Sequence, residues 1–196
     1  KKTLANLKIK CITLKHPEKR ERMTYAEELD YLVSKESRNR FILDLCNTIS
    51  GNTLVLFQLV EKHGKILYDG MKEKENVYFV YGGTDTDQRE KIRGLVEGHN
   101  KSTTIASYGT FSTGINIRNI NNIVLASPSK SKIRVLQSIG RGLRTSSTKN
   151  SILIFDIADD ISYKDRRNFT LNHFFERLNI YNEQQFNYEI SKVRIK

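Results

Sequence analysis

The chain has 196 residues, of which 38% are hydrophobic and 9% aromatic, so it can bury a core, and this argues against wholesale disorder. Lysine and arginine outnumber aspartate and glutamate by 33 to 22, and the formal charge of +11 favours a polyanionic partner, with nucleic acid ahead of a membrane surface. No apolar run approaches the ~20 residues that a bilayer-spanning helix needs, and the first residues carry no signal-peptide pattern.

Strand and helix patterns alternate along the chain. Short apolar runs predict strands over residues 9–14, 53–57, 77–81, 103–107, 123–126 and 151–156. Amphipathic runs predict helices over residues 25–33, 37–49, 60–71, 87–98, 132–144 and 166–178. Because the strands are apolar throughout rather than alternating with polar residues, we expect an α/β fold with a mostly parallel sheet and helices on both of its faces.

Local signals mark several connections between these elements. Asp87, with Glu90 three residues later, predicts a capping box at the start of a helix. Residues 108–116 are rich in glycine, serine and threonine and predict a loop, and the polar, basic residues 182–196 predict a loosely packed tail. Ligands of open α/β sheets gather at the carboxyl ends of the strands, so four strand-end loops should share one edge. These loops follow Phe57, Tyr81, Ser107 and Ala126.

A long stretch of the chain contains no carboxylate. No aspartate or glutamate occurs between Glu97 and Asp156. The same stretch carries Lys101, Arg118, Lys130, Lys132, Arg134, Arg141, Arg144 and Lys149. A depleted stretch of this kind marks a surface that anions approach, and we prefer this interpretation to chance clustering of charge in a basic protein.

The predicted helix at residues 132–144 has two distinct faces. At 3.6 residues per turn, one stripe about 80° wide carries Arg134, Gln137, Arg141 and Arg144. The opposite side carries Leu136, Ile139 and Leu143. The helix should therefore dock by its apolar side and present guanidinium groups, which can donate paired hydrogen bonds to the phosphates of a nucleoside triphosphate. On the face pattern alone, a solvated basic face or a general DNA-binding stripe explains these residues better than a triphosphate site does.

Cysteine and histidine usage argues against two classes of site. Cys11 and Cys46 are too few for a disulfide framework, and both lie in apolar stretches, as small core residues of a reducing compartment do. The histidines form no pair at metal-ligand spacing, which argues against a zinc site. They are His16, His63, His99 and His173. We therefore expect neither a structural disulfide nor a metal held by this chain.

The spacing Q-x-x-G-R-x-x-R at residues 137–144 resembles motif VI of superfamily 2 helicases and translocases. Three further segments resemble other motifs of this family in the expected order. Residues 53–58 resemble motif IV, Tyr81-Gly82-Gly83 with Arg89 resembles a segment with a glycine turn and a downstream arginine, and residues 106–116 resemble motif V. The chain is thus similar to the second RecA-like domain of a superfamily 2 helicase, a P-loop NTPase-like fold without the P-loop, and motifs V and VI resemble those of phage recombination helicases.

The resemblance implies a role for each matching residue. Arg144, as the arginine finger, and Arg141 would reach ATP on a partner domain, and Gln137 would sense the γ-phosphate side of the same cleft. Gly114 and Asn116 would couple the nucleotide to the nucleic acid, and with the two arginines they form the implied cofactor-binding set. Ser107 and Asn116 stand where many relatives carry threonine and aspartate. The residues implied to contact nucleic acid are Gly82, Gly83, Arg89, Ser107, Thr110, Lys130 and Lys132.

The sequence contains no G-x-x-x-x-G-K-[ST], so this chain has no phosphate-cradling P-loop. The resemblance implies ATP with Mg²⁺, bound mainly by an N-terminal RecA-like domain of the same protein, and we expect residues 1–196 alone to hydrolyse ATP negligibly. Residues 151–156 with Asp159 and Asp160 look like a Walker B strand, but without a P-loop we interpret them as a core strand and a polar turn. The chain begins with Lys1 instead of methionine, so we expect a fragment or a processed product.

The resemblance also implies a division of the chain and a function. We expect a lead-in and linker at residues 1–36, a RecA-like helicase C-terminal domain at 37–180 and a basic C-terminal tail at 181–196. The implied function is the second motor domain of an ATP-dependent DNA helicase or translocase. Its implied substrate is branched DNA (forks, junctions and the RNA–DNA hybrids of R-loops) in recombination, repair and replication. The implied location is the cytoplasm of a phage-infected bacterium. Two alternatives remain open: a non-enzymatic nucleic-acid-binding module, and the motor half of a restriction or remodelling translocase.

Overall fold

The computed structural model describes residues 7–112, 119–145 and 151–196. Within these ranges the strands are β1 (Leu7–Lys15), β2 (Asn52–Phe57), β3 (Val77–Val80), β4 (Ser102–Ser107), β5 (Asn122–Leu125), β6 (Ile152–Asp160) and β7 (Asn187–Arg194). They form one sheet in the order β3-β4-β2-β5-β6-β1-β7, and each neighbouring pair runs parallel. The predicted α/β class and the predicted parallel sheet are confirmed.

The helices of the described ranges connect these strands. They are α1 (Tyr25–Ser34), α2 (Glu36–Thr48), α3 (Lys65–Met71), α4 (Thr86–Glu97), α5 (Tyr108–Ser112), α6 (Lys132–Thr145) and α7 (Phe169–Glu183). The single helix predicted over residues 60–71 begins with a π-helical turn at Val60–Gly64 and continues as α3. A Cβ atom at Gly64 would stand 2.6 Å from the Phe57 ring, so this turn requires glycine. None of these helices is long and apolar enough to span a bilayer.

Successive residues of β2 face opposite apolar layers. Leu54 and Leu56 lie in one layer, Val55 and Phe57 lie in the other, and each is at most 1% exposed. The first layer also contains Val135, Leu136 and Ile139 of α6 and Leu171 and Phe174 of α7. The second layer contains Ile42 and Cys46 of α2 and Leu67 and Met71 of α3. A sheet covered by helices on both faces requires this burial of both sides of its strands.

The start of α4 differs from its prediction. The N-cap is Asp85, not Asp87, and the predicted capping box with Glu90 is wrong. Asp85 has extended backbone angles (φ −68°, ψ 162°), and its carboxylate accepts a hydrogen bond from the backbone N–H of Gln88 at 2.7 Å. A capping residue must lie outside the helical region, whereas Asp87 already lies inside α4.

Two segments that are predicted to lack secondary structure contain a helix and a strand. Helix α5 occupies part of the loop predicted for residues 108–116, and the loosely packed tail predicted for residues 182–196 instead contains β7, which pairs along β1. The residues of β7 are mostly exposed because β7 is an edge strand, so their polar composition resembles that of a tail. Strands β1 and β7 lie within the predicted lead-in and tail, and the division of the chain into three parts stays a prediction.

Candidate nucleotide and nucleic-acid interface

The carboxyl ends of the strands form one edge of the sheet. Phe57, the last residue of β2, pairs with Ser107, the last residue of β4, and Val80 at the end of β3 pairs with Ala106. The end of β5 is in register with β2 as well. The prediction that the four strand-end loops share one edge is therefore confirmed, and the residues in these loops are candidates for a common site.

The glycine turn after β3 is shaped by an arginine. The backbone N–H of Thr84 donates to the Tyr81 carbonyl at 3.0 Å, and the backbone N–H of Tyr81 donates to the Thr84 hydroxyl at 3.1 Å. The Arg89 guanidinium donates to the carbonyls of Thr84, Tyr81 and Gly82 at 2.9, 3.2 and 3.1 Å. Arg89 thus holds the turn that presents the exposed Gly82 and Gly83, and its direct contact with nucleic acid stays a prediction.

Two residues at the start of the motif V segment form a hydrogen-bonded pair. The hydroxyls of Ser107 and Thr110 lie 2.5 Å apart, and the backbone N–H of Thr110 donates to the Ser107 hydroxyl at 3.3 Å. Thr110 is buried, whereas Ser107 is partly exposed at the carboxyl edge. The structure therefore brings together these two predicted phosphate contacts, and Ser107 is the more accessible of them. Gly114 and Asn116 lie outside the described residues.

The loop after β2 is joined to the loop after β5 through a buried histidine. The Ser127 hydroxyl accepts a hydrogen bond from the backbone N–H of Gln58 at 3.0 Å and lies 2.5 Å from Nδ1 of His63. The other ring nitrogen lies 2.9 Å from Oδ1 of Asn39, whose amide nitrogen already donates to the Val33 carbonyl. Nε2 of His63 therefore carries the proton, and Nδ1 accepts from Ser127.

Burial keeps this histidine neutral. Desolvation, together with the nearby Arg38 cation, lowers the pKa of His63 to about 3. A neutral imidazole can donate at one nitrogen and accept at the other, as its two partners require. His63 thus has a structural role, since both of its ring nitrogens are hydrogen-bonded within the core. Motif comparison alone does not reveal this role.

Helix α6 has the two faces predicted for it as far as its side chains are described. Val135, Leu136 and Ile139 are buried at 1%, 1% and 7% exposure, whereas Arg134 and Gln137 are exposed. The residues Arg141 and Arg144 fall in the last turns of this helix, and their side chains lie outside the described part of the chain. The helix therefore docks by its apolar side, and the first half of the motif VI stripe faces outward.

The two predicted lysine contacts have different surroundings. Lys130 is exposed at the carboxyl edge. Lys132 is 1% exposed, and its ammonium donates to the Ile157 carbonyl at 2.6 Å and to the Asp156 carboxylate at 3.3 Å. Burial lowers the pKa of Lys132 to about 8 despite the attraction of Asp156. The prediction for Lys132 is corrected: this residue anchors α6 to β6 and does not present its ammonium to a phosphate.

Asp156, which lies in a predicted core strand and was given no role there, organises that anchor. Its carboxylate accepts two hydrogen bonds from Arg177 at 2.9 and 3.0 Å and one from the Tyr181 hydroxyl at 2.6 Å, besides the contact with Lys132. Burial opposes ionisation of Asp156, but the cations of Arg177 and Lys132 outweigh it and lower its pKa to about 2. One carboxylate therefore links β6 to α6 and α7.

A second buried carboxylate lies at the end of the same strand. Asp159 accepts two hydrogen bonds from Arg38 of α2, each at 2.9 Å, and lies 2.8 Å from Nε2 of His16. Burial opposes ionisation here too, but Arg38 and His16 hold the pKa of Asp159 well below its usual range. The predicted polar turn at Asp159 and Asp160 is wrong, because β6 continues through both residues. An acid within an apolar run, as Asp156 is in residues 151–158, is a sequence signal for a buried ion pair, but Asp159 is followed by Asp160 and gives no such signal.

The described ranges contain no cluster of side chains that could bind a metal ion. In residues 7–112, 119–145 and 151–196, no group of three or more histidine, cysteine, aspartate or glutamate residues is placed to hold a metal ion. Cys11 and Cys46 are free and buried, and burial raises the pKa of Cys46 to about 12. Both thiols are therefore protonated core groups.

Comparison with known proteins identifies relatives of the whole chain. The family model of the helicase conserved C-terminal domain matches residues 27–146. The ATP-dependent DNA helicase uvsW of Enterobacteria phage T4 is 34% identical over 210 residues, which cover 98% of this chain and 42% of that protein. The chain therefore spans less than half the length of this curated relative.

Two solved structures resemble the fold. The crystal structure of T4 UvsW matches with a TM-score of 0.85 and 35% identity, covering 96% of this chain and 42% of that one. The C-terminal domain of the DEAD-box protein Dbp5 matches with a TM-score of 0.55 and 13% identity, covering 93% of this chain and 89% of that one. At this low identity, the second likeness concerns the fold alone.

Proposed function

Because the chain belongs to the helicase conserved C-terminal domain family and has its RecA-like fold, we propose that it is the second motor domain of an ATP-dependent DNA helicase. The observation that carries this proposal is α6, which buries Leu136 and Ile139 and exposes Gln137 at the position of motif VI. The similar protein of phage T4 is named an ATP-dependent DNA helicase, and this supports the same activity for the protein to which this chain belongs.

In this proposal ATP lies against the outward stripe of α6 and is held mainly by an N-terminal RecA-like domain of the same protein. Arg144 is the arginine finger, Arg141 contacts a phosphate and Gln137 senses the γ-phosphate, while Gly114 and Asn116 couple the nucleotide to the nucleic acid. A guanidinium at this place neutralises charge that builds on the phosphoryl oxygens, an effect worth ~10³–10⁵ in rate in known GTPases.

The proposed nucleotide also requires Mg²⁺, and this chain is a poor source of ligands for it. The outward stripe of α6 offers guanidinium groups and one amide, whereas Mg²⁺ prefers carboxylates, phosphate oxygens and water. Both carboxylates of β6 that point into the core are already bound to cations. We therefore assign the metal ligands to the partner domain.

The proposed DNA path follows the carboxyl edge of the sheet. Gly82 is exposed, and a Cβ atom there would meet nothing within 4 Å, so a phosphate backbone can approach this turn closely. Ser107 offers a partly exposed hydroxyl and Lys130 an exposed ammonium at the same edge. Contacts of this kind hold the sugar-phosphate backbone without reading its sequence.

We extend the proposal to branched DNA, with forks, junctions and R-loops as substrates in recombination, repair and replication, in the cytoplasm of a phage-infected bacterium. The support is the likeness of the chain to a phage helicase. A three-way junction, a fork and a linear duplex of equal length distinguish this substrate class. The complete protein should separate the strands of the branched substrates with ATP, and equal activity on the linear duplex would contradict the preference.

The experiment that tests the arginine finger uses the complete protein. Arg144→Ala should lower ATP hydrolysis by about 10³-fold or more while DNA affinity is retained, because the finger acts on the phosphoryl group and not on DNA. Arg40→Ala is the matched control, since it removes an exposed arginine from α2 and should leave hydrolysis unchanged. Near-normal hydrolysis by Arg144→Ala would contradict the assignment, and DNA binding without any hydrolysis in the unmodified protein would favour the non-enzymatic module.

A further inference from the structure

Beyond the predicted contacts, the carboxyl edge continues to the ends of β6 and β1, where aromatic rings lie at the surface. The Tyr25 ring meets the Phe169 ring edge-on at a centroid distance of 5.9 Å and the His173 ring at 5.5 Å. The Lys130 ammonium lies 5.6 Å from the Tyr25 centroid. Phe169 is 46% exposed although it is apolar. Its ring is therefore held by a second ring and remains open to a ligand.

A cleft of about 300 Å³ opens beside Phe169. Its walls include Lys19, Arg22, Ile161, Arg166, Arg167 and Phe169, and we name it the aromatic-basic cleft. The Arg166 guanidinium donates to the backbone carbonyls of Lys19, Arg20 and Glu21 at 3.0, 2.8 and 3.3 Å. These bonds fix the backbone of residues 19–21, which forms one wall of the cleft, so this wall is ordered before a ligand arrives, which lowers the entropic cost of binding.

The charge of the cleft favours an anion. Glu28 is 2% exposed, and its carboxylate accepts hydrogen bonds from the backbone N–H groups of Phe169 and Thr170 at 3.0 and 2.7 Å, so it serves to cap α7. Glu21 is the exposed carboxylate of the walls. The cations that line the cleft are Lys19, Arg22, Arg166 and Arg167, and Lys130 lies by the neighbouring Tyr25 ring. Exposed rings flanked by cations are typical of surfaces that bind single-stranded nucleic acid.

We propose that the aromatic-basic cleft binds a segment of single-stranded DNA, with one base stacked on Phe169 and the adjoining phosphates on Lys19 and Arg22. This inference rests on the proposed function, because it extends the DNA path along the same edge. Strands β4, β2, β5 and β6 are consecutive, so the ends of β4 and β6 are separated by three spacings of ~4.8 Å, or about 14 Å. One strand of DNA can therefore reach both places, and a duplex cannot offer a base face to the ring.

The chain contains no tryptophan, so one introduced indole reports on one position. Phe169→Trp keeps an aromatic ring at the cleft, and its fluorescence should be quenched when an oligothymidylate of about 15 nucleotides is added to the chain. Leu95→Trp is the control, because Leu95 has a similar exposure of 41% and lies near the end of α4, towards the opposite edge of the sheet. The fluorescence of this second indole should not change.

Affinity provides an independent readout. Phe169→Ala should weaken binding of the same oligothymidylate by roughly fivefold or more, because the stacking of a base on an aromatic side chain is worth ~1–3 kcal/mol. Leu95→Ala should leave this affinity unchanged, and neither variant should alter the affinity for a duplex of equal length. Since both side chains are exposed, neither truncation should unfold the chain.

The outcomes separate this inference from the proposed function. If the chain binds the oligothymidylate but Phe169→Trp is not quenched and Phe169→Ala binds normally, the cleft is not the binding place, and the proposed function stands. If Phe169→Ala weakens duplex and single-strand binding equally, the assignment to a single strand is overturned. If the unmodified chain binds no oligothymidylate even at low salt, this inference fails, whereas the proposed function is judged separately by hydrolysis and strand separation in the complete protein.

Discussion

The two halves of the carboxyl edge are held together by different chemistry. On the side of β3 and β4, Arg89 holds the turn after β3, and the hydroxyls of Ser107 and Thr110 form a pair at the end of β4. On the side of β6 and β1, the buried carboxylates Asp156 and Asp159 bind cations from α2, α6 and α7. Helix α6, which carries motif VI, is thus anchored by charges inside the core, whereas the turn after β3 is held by hydrogen bonds near the surface.

Removal of the Asp156 carboxylate, which binds Lys132 and Arg177, should cause the largest loss of stability. Asp156→Ala leaves Lys132 and Arg177 buried without their counter-charge, and we expect a loss of ~3–5 kcal/mol in the free energy of unfolding, measured by urea denaturation. Glu90→Ala is the control, since it removes the carboxylate of an exposed pair with Arg93 and should cost at most about 1 kcal/mol. Equal losses in the two variants would contradict the contrast between the halves.

Acid should act on the anchored half through the same carboxylates. A carboxylate with a folded-state pKa below its unfolded value of about 3.9 contributes stability above that value and loses it as the pH falls through the folded pKa. Since the pKa of Asp156 is about 2 and that of Asp159 is also lowered, the urea midpoint should fall steadily below about pH 4. Asp156→Asn should flatten this dependence, and an equally steep fall in the variant would contradict the assignment.

Lys130, just before α6, and Lys132, its first residue, should respond differently to the same substitution. Lys132→Met removes the donor to the buried Ile157 carbonyl and should cost ~1–3 kcal/mol of stability. Lys130→Met should leave stability unchanged but weaken DNA binding and reduce the slope of log affinity against log salt by about one. The opposite pattern, with Lys130 needed for stability and Lys132 for the salt slope, would show that the burial of these residues does not predict their roles.

The variant in the turn after β3 should have only a small effect on stability. Arg89→Ala removes three hydrogen bonds to carbonyls of a surface turn whose glycines are exposed, so the free energy of unfolding should change by less than about 1 kcal/mol. The backbone N–H of Thr84 should nevertheless exchange faster with deuterium, because the turn has lost its brace. Arg93→Ala, on the same helix, should leave this exchange rate unchanged, and unaltered exchange in both variants would remove the role given to Arg89.

The fold is largely predictable because its signals are local. The apolar run at residues 53–57 predicts a strand that is buried on both faces, and the spacing of Leu136 and Ile139 predicts which side of α6 is buried. The predictions are wrong where two nearby residues can both cap a helix, or where an exposed strand lacks the apolar residues that identify a strand. Asp85 and Asp87 are both good capping residues, and β7 is polar because it lies at an edge of the sheet.

The candidate site is only partly predictable because its side chains depend on partners distant in the chain. Ser107 and Thr110 are three residues apart, and the sequence groups them correctly. The family resemblance implies that Lys132 contacts a phosphate, but its ammonium is buried against Asp156, which is 24 residues away. Arg38 lies 121 residues from Asp159, and no periodicity in the sequence reveals that pair.

The most direct test measures ATP hydrolysis by the 196-residue chain alone, with and without DNA. It asks whether the arginines of this domain act on ATP that a partner domain binds. We expect negligible hydrolysis from the chain even when DNA is saturating, and hydrolysis that depends on Arg144 from the complete protein. Robust DNA-stimulated hydrolysis by the isolated chain would contradict the assignment of the nucleotide to a partner domain.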